Sequence, residues 1–259
     1  MKRRALTGGE RADWLRLSRT RGIGPITFFH LLERYGSAAA VLDDLPALAK
    51  KAGAKADIRA PSRDEIEREL AGVDKLGAVY RAACEPEYSA CLAAIDAPPP
   101  VICLRGRRDL VNQPAIAMVG ARDASAAGRR MARDLSKELG EAGYVIVSGM
   151  ARGVDGEAHA ASMETGTVAV LAGGIDKIYP PQHEQLYATL AERGCLVSEA
   201  PLGYVAQARD FPKRNRIISG LSLGTVVMHT SSLSLACLCS APAALCCGRA
   251  WLLAMPCLR

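Results

Sequence analysis

Five short apolar runs, Ala115–Val119, Tyr144–Val147, Thr167–Leu171, Leu196–Val197 and Gly224–Met228, recur through the second half of the chain with helical segments between them. Short apolar runs of this kind, set between turn residues, read as strands. Because they are apolar at consecutive positions rather than alternate ones, both of their faces have to be covered. Between the first two, Met131, Leu135 and Leu139 stand four apart among Arg, Lys and Glu, the pattern of a helix lying on one face of a sheet. Strands alternating with helices give an α/β fold, a Rossmann-like, doubly wound and mostly parallel sheet. In such a sheet functional groups collect where the strands end, at their carboxyl termini.

The first three strand ends each carry a glycine turn. "MVGARDASAAG" follows the first strand, but Arg122 stands where the second glycine of a GxGxxG fingerprint would let a pyrophosphate approach the backbone, which disfavours a nicotinamide or flavin dinucleotide. A guanidinium beside Gly120 still suits an anion at a helix N-terminus, or pairs with a surface acid. "SGMARGVDGEAHAAS" follows the second strand, with Ser148, Gly149 and Gly153 in the turn and Asp155 as the expected cap of a helix carrying His159. Ser, His and Asp invite a hydrolase triad, yet no G-x-S-x-G elbow is present, and a lone His on an alanine-rich helix is ordinarily packed or solvated. "LAGGIDKIYPP" supplies Gly173, Gly174 and Lys177 at the third strand end.

The fourth run leads through "SEAPLG" to "ARDFPKRNRIISGLS". Asp210 as cap and Pro212 as first helical residue would place Lys213, Arg214 and Arg216 in a first turn, where cations oppose the helix dipole and call for an anion. Phe211 then offers a face for a base, and Asn215 donors and an acceptor. The competing arrangement puts Phe211 in the core and pairs the cations with Glu199 or Asp210.

Residues 10–95 read differently, as short helices punctuated by Gly22, Gly24, Pro25 and Gly36, with Ala97-Pro98-Pro99-Pro100 as the linker to the sheet. Gly22-Ile23-Gly24-Pro25 resembles a helix-hairpin-helix turn or serves as a plain tight turn. The formal charge is +6 with pI near 8.9, and basic residues cluster in 1–21 and 209–216, which permits a polyanionic partner. No stretch of 18 apolar residues precedes residue 229 and the N-terminus lacks a signal-type apolar run, so a cytoplasmic protein with no membrane contact is expected. The nine cysteines match no zinc or redox spacing, and reduced thiols without a metal are expected.

Taken together, "GIGP", "EPEYSACLAAIDAPPPVICLRG", "VGAR", "SGMARGVDGEAHAAS", "LAGGIDKIYP", "SEAPLG" and "FPKRNRIISGLSLGTVV", in this order over residues 12–228, resemble the DprA/Smf (DNA-processing protein A) family. The resemblance implies a sterile-alpha-motif-like helical domain, residues 1–95, before a Rossmann domain, residues 96–229. It implies a non-enzymatic mediator, without a cofactor, that binds single-stranded DNA, dimerises through the Rossmann domain and loads the RecA recombinase in natural transformation. Gly120 and Arg122 become phosphate contacts, Ser148, Gly149, Gly153, Gly173 and Gly174 the pocket turns, Lys177 a DNA-binding charge beside them, and Phe211, Lys213, Arg214, Asn215 and Arg216 the DNA-gripping helix start. His183 stands where the family usually has Asn. The alternative class is a nucleotide phosphoribohydrolase-like enzyme on a related Rossmann fold, but "AGGIDK" lacks the Pro and Thr of a PGGxGT turn.

Beyond Met228 the composition breaks. Residues 229–259 contain no Asp, Glu or Lys and hold five of the nine cysteines, which reads as an aberrant tail from an altered frame or a truncation, with a hydrophobic binding tail or membrane-associating segment as the rival reading. The expectation is a sheet incomplete at its C-terminal end, with the Gly224–Met228 strand an uncovered edge and the homodimer put in question.

Overall fold

The computed structural model describes residues 3–51, 58–228 and 233–236. Four helices come first: α1 (Gly8–Ser18), α2 (Pro25–Tyr35), α3 (Ala38–Lys51) and α4 (Arg63–Lys75). Their starts are written in the sequence. Thr7 with Glu10, and Ser62 with Glu65, form capping boxes for α1 and α4, and Pro25 opens α2 behind Gly24. Trp14, Phe28 and Phe29 meet edge to face between α1 and α2, ring centroids 5.1 to 6.4 Å apart.

The sheet follows: β1 (Ala78–Ala82), a short α5 (Ala90–Ala93), β2 (Val101–Gly106), β3 (Ala115–Gly120), α6 (Ala126–Glu141), β4 (Val145–Ser148), α7 (Val154–Ala161), β5 (Thr167–Leu171), α8 (Glu184–Arg193), β6 (Cys195–Ser198), α9 (Asp210–Gly220), β7 (Gly224–Met228) and β8 (Leu233–Ala236). Among the described residues these make one eight-stranded sheet in the order β1-β2-β6-β5-β4-β3-β7-β8. The five strands from β6 to β7 run parallel, while β2 joins β6, and β8 joins β7, antiparallel. All five apolar runs are strands of the parallel block, and β4, β5 and β6 are buried at every position. Within β4, Ile146 packs with Met118, Ala132, Val154 and Ala158 in a layer under α6 and α7, while Val145 and Val147 join the larger core containing Ile217 and Ile218 of α9. Successive side chains thus serve opposite faces, as a sheet covered on both sides requires.

Two expectations are corrected. The stretch to residue 95 is not all helical: Ala78–Ala82 is a strand, with Ala78, Tyr80 and Ala82 buried in alternation. Tyr80 Oη and Arg19 both reach Glu69, and Arg19 Nη1 donates to Glu199 O (2.8 Å), so α1 and α4 are tied to the β6 end of the sheet. Second, β7 is not an uncovered edge, because Leu233 to Ala236 pair with Met228 to Thr225. The rest of the unusual tail lies outside the described residues.

Candidate nucleic-acid interface

The chain moves stepwise from β3 to β4, β5 and β6, then returns past β3 to lay down β7 on its far side. Where the direction reverses, the strand ends open a crevice. The N-termini of α6, α7 and α9 all sit at this rim, each following a strand's carboxyl end. Ser125 caps α6 by accepting from Gly128 N (3.1 Å). Helix α7 is capped by Gly153, not by Asp155. The Asp155 carboxylate, buried inside the first turn, accepts from Ala151 N (3.1 Å). Gly153 holds φ 74° and ψ −122°, and a Cβ there would lie 2.6 Å from Arg122 O, so only glycine lets the β4 turn pass against the β3 turn.

Arg214 is not at the surface. It is 7 % exposed, and its guanidinium runs beneath the rim to donate from Nη1 to Gly149 O (2.5 Å) and to Val170 O, the carbonyls at the ends of β4 and β5. A Cβ on Gly149 would lie 2.6 Å from Arg214 Nη2, which is why this turn has a glycine. Burial lowers the Arg214 guanidinium pKa, and the buried Asp155 carboxylate works against that shift. Asp155 in turn is raised by burial, opposed by hydrogen bonds from Ala151 and by the charge of Arg214. Arg216 is also committed, since Nη2 reaches both oxygens of Glu199 (2.6 and 2.5 Å) and Nη1 reaches Ala97 O (2.7 Å). The carboxylate pairing foreseen as the competing arrangement therefore holds for Arg216 with Glu199 and, at 3.8 Å, for Lys213 with Asp210. Asn215 accepts from Arg214 Nε (3.3 Å) and is exposed.

What the rim offers outward is an aromatic platform with cations around it. Phe211 is half-buried against Tyr179, centroids 5.2 Å apart, and the Arg122 guanidinium lies 5.3 Å above the Phe211 ring. Arg214 approaches the same ring at 5.9 Å, so the ring sits between an exposed and a buried cation. Arg122 has no ion pair among the described residues. Lys177 lies 3.2 Å from Asp176, Lys213 3.8 Å from Asp210, and Arg152 3.8 Å from Asp123. The three cations are themselves exposed and stand at 3.2 to 3.8 Å from their carboxylates, so they remain open to a phosphate. Beside the platform a small cavity is lined by Glu199, Tyr204, Asp210 and Lys213.

The other expected residues serve the frame. Gly120 ends β3 opposite Met228, and the next amide, of Ala121, donates to Met228 O (3.0 Å). Gly174 N donates to Tyr204 O (2.8 Å), and Gly173 O accepts from Ser198 Oγ (2.7 Å), so this turn is bound to the loop before α9. Ser148 Oγ is buried and donates to Met118 O (2.6 Å), unlike a nucleophile. His159 is wholly buried, with Nδ1 2.7 Å from Thr167 Oγ1 and Nε2 without a partner. His183 stands 3.1 Å from Met150 O. Among the described residues there is no metal-binding group of three His, Cys, Asp or Glu, and no helix long and apolar enough to cross a membrane. The four cysteines described, Cys84, Cys91, Cys103 and Cys195, are free. Tyr179 and Arg152 were missed by sequence reasoning; the signal for Tyr179 was an aromatic two residues after Lys177 in a glycine-opened strand-end loop.

A family model described as DNA recombination-mediator protein A matches residues 80–256. The chain belongs to that family. A second model, the DprA-like N-terminal HHH domain, matches residues 8–72. The first match continues past Met228, across the compositional break. Protein Smf of Synechocystis is 32 % identical over 242 residues, 86 % of this chain and 59 % of the relative, and DNA processing protein DprA of Bacillus subtilis 37 % over 177 residues, 64 % and 60 %. The chain thus spans about three fifths of the length of these relatives. The structure of DprA from Streptococcus pneumoniae superposes with a TM-score of 0.70 at 26 % identity, over 88 % of this chain and 78 % of that one. DNA processing protein A from Helicobacter pylori, described with a single-stranded DNA binding mode, superposes with a TM-score of 0.50 at 26 % identity, over 54 % and 65 %.

Burial drives His159 down to about 3 from an ordinary 6.5, with the positive charges of His183 and Arg214 adding to the effect. The unfolded chain therefore binds this proton first, and stability falls as pH drops from about 6.5 towards 3, with a slope of up to about 1.4 kcal/mol per unit. Asp155, raised by burial, contributes the opposite sign above its unfolded value of 3.8. Urea unfolding of the protein and of His159→Gln across this range separates the two: the substitution flattens the histidine slope and leaves the aspartate contribution.

Proposed function

We propose that the chain binds single-stranded DNA across the carboxyl rim of the sheet, with bases stacked on Phe211 and Tyr179 and phosphates held by Arg122, Arg152, Lys177 and Lys213, Asn215 standing beside them. The observation that carries this is the Arg122 guanidinium poised over the Phe211 ring at 5.3 Å without an ion pair among the described residues. A cation and an aromatic face side by side recognise a flexible chain that alternates charge with π-surface, and do so with little regard to base sequence. Gly149, Gly153, Gly173, Gly174, Ser148, Arg214 and Arg216 shape the platform from behind. The relation to the Helicobacter pylori protein supports the choice of single strands. Loading of RecA during natural transformation, in the cytoplasm and as a homodimer, is the cellular role proposed on family membership.

Anisotropy of a labelled oligo-dT at several salt concentrations tests the site. Arg122→Ala weakens binding about tenfold and reduces the log–log salt slope by about 0.7, one phosphate contact on a single strand. An unchanged slope and affinity would refute the placement. For the mediator role, RecA assembly on single strands precoated with single-strand-binding protein accelerates when the chain is added, and Arg122→Ala removes the acceleration.

A further inference from the structure

A second concavity, on the opposite edge of the molecule from β7, has the reverse electrostatic character. It holds about 620 Å³ between α1, the end of α2, the start of α3 and the segments flanking α5. That volume lies within the range of specific ligand sites. Trp14, Phe29 and Leu32 give it an apolar lining. Four carboxylates, Glu10, Asp13, Glu33 and Asp96, also line it, against the single guanidinium of Arg4. Arg4 already pairs with Glu10 (2.6 Å), and Asp13 faces Arg16 and Arg63 at 3.5 and 3.7 Å. Glu33 and Asp96 are exposed and have no hydrogen bond or ion pair among the described residues. The carbonyl end of α2, closed by Gly36 at the wall, adds the negative end of a helix dipole. A negative groove on a chain of net charge +6 runs against its overall composition.

With the lining guanidinium already paired and Glu33 and Asp96 left over, this groove disfavours phosphate and is not taken as part of the DNA path. We propose that the groove docks a basic amphipathic segment of a partner protein, its aliphatic side chains against Trp14, Phe29 and Leu32 and its lysines or arginines on Glu33 and Asp96. An apolar lining that carries two exposed carboxylates without partners among the described residues complements a helix whose apolar anchors recur every three or four residues with cations beside them. The aromatic lining also suits the cationic head groups.

The probe is a fluorescein-labelled peptide of about fifteen residues, long enough to form a helix, with leucine on one face and lysine and arginine on the other, titrated with the full chain. It binds the unaltered chain, and the Glu33→Gln/Asp96→Asn double variant weakens binding about tenfold, the loss expected of two partly desolvated ion pairs. Ala39→Trp, which adds bulk at the groove wall and leaves every carboxylate in place, weakens it as well. A peptide with glutamate in place of each cation does not bind, and oligo-dT affinity of both variants stays at the unaltered level, showing that the fold and the DNA rim are intact. Equal peptide affinity for the unaltered and double-variant chains, or no binding to the unaltered chain, overturns the proposal. So does a self-association of the free chain that the double substitution abolishes, which would give the groove to a second copy.

Discussion

Arg214→Met lowers the unfolding free energy by about 3 kcal/mol. The guanidinium is buried and bridges Gly149 O and Val170 O, so an apolar replacement of similar length leaves two buried carbonyls without this donor, and each unsatisfied polar group costs about 1–3 kcal/mol. It also strips the buried Asp155 of a favourable charge, which raises that carboxyl further. Urea unfolding followed by circular dichroism measures the change. Gly149→Ala produces a loss of similar direction, because its Cβ would press on the guanidinium at 2.6 Å. The double variant is less destabilised than the sum, since the methyl group no longer meets a guanidinium. Additive losses would show that the two residues do not act through each other. Loss of DNA affinity in Arg214→Met follows from displacement of Phe211, not from loss of a phosphate contact, so the salt slope stays near that of the unaltered chain.

Removal of the platform has the second large effect. Phe211→Ala weakens single-stranded DNA binding about ten- to a hundredfold, the range given by about 1–3 kcal/mol of stacking per base. Tyr179→Ala acts in the same direction because Tyr179 supports the ring at 5.2 Å. Phe211→Tyr keeps the π-face and retains affinity. The decisive comparison uses an oligonucleotide with an abasic stretch: without bases to stack, the unaltered chain and Phe211→Ala bind alike. A persistent difference on the abasic strand would place the ring's contribution in packing the rim.

The parallel block was legible because its strands are buried on both faces, and consecutive apolar residues leave no other reading. Strand β1 was not, because Ala78-Val79-Tyr80-Arg81-Ala82 follows α4 closely and its alternation is short enough to pass for another helical turn. Strand β8 escaped notice because its four residues lie in a segment whose composition masks local pattern. At the site, residue types were readable and their depth was not. Arg214 and Arg216 are one turn's neighbours of Lys213 in a charge run, yet helix α9 turns Arg214 under the rim and Arg216 towards Glu199, leaving Lys213 outside. Sequence spacing fixes that angular spread, but which face meets the sheet depends on the order in which the strands pack.

That order has a consequence for when the protein becomes competent. The platform joins Arg122, which leaves β3, to Phe211, which opens α9, and three intervening crossovers separate them. The β3-to-β6 portion alone holds the cation without its ring, which arrives with α9, ahead of the strand that fills the flank of β3. Arg122 and Phe211 are therefore brought side by side only once α9 has docked, so the proposed grip depends on four strands and their helices being in place together.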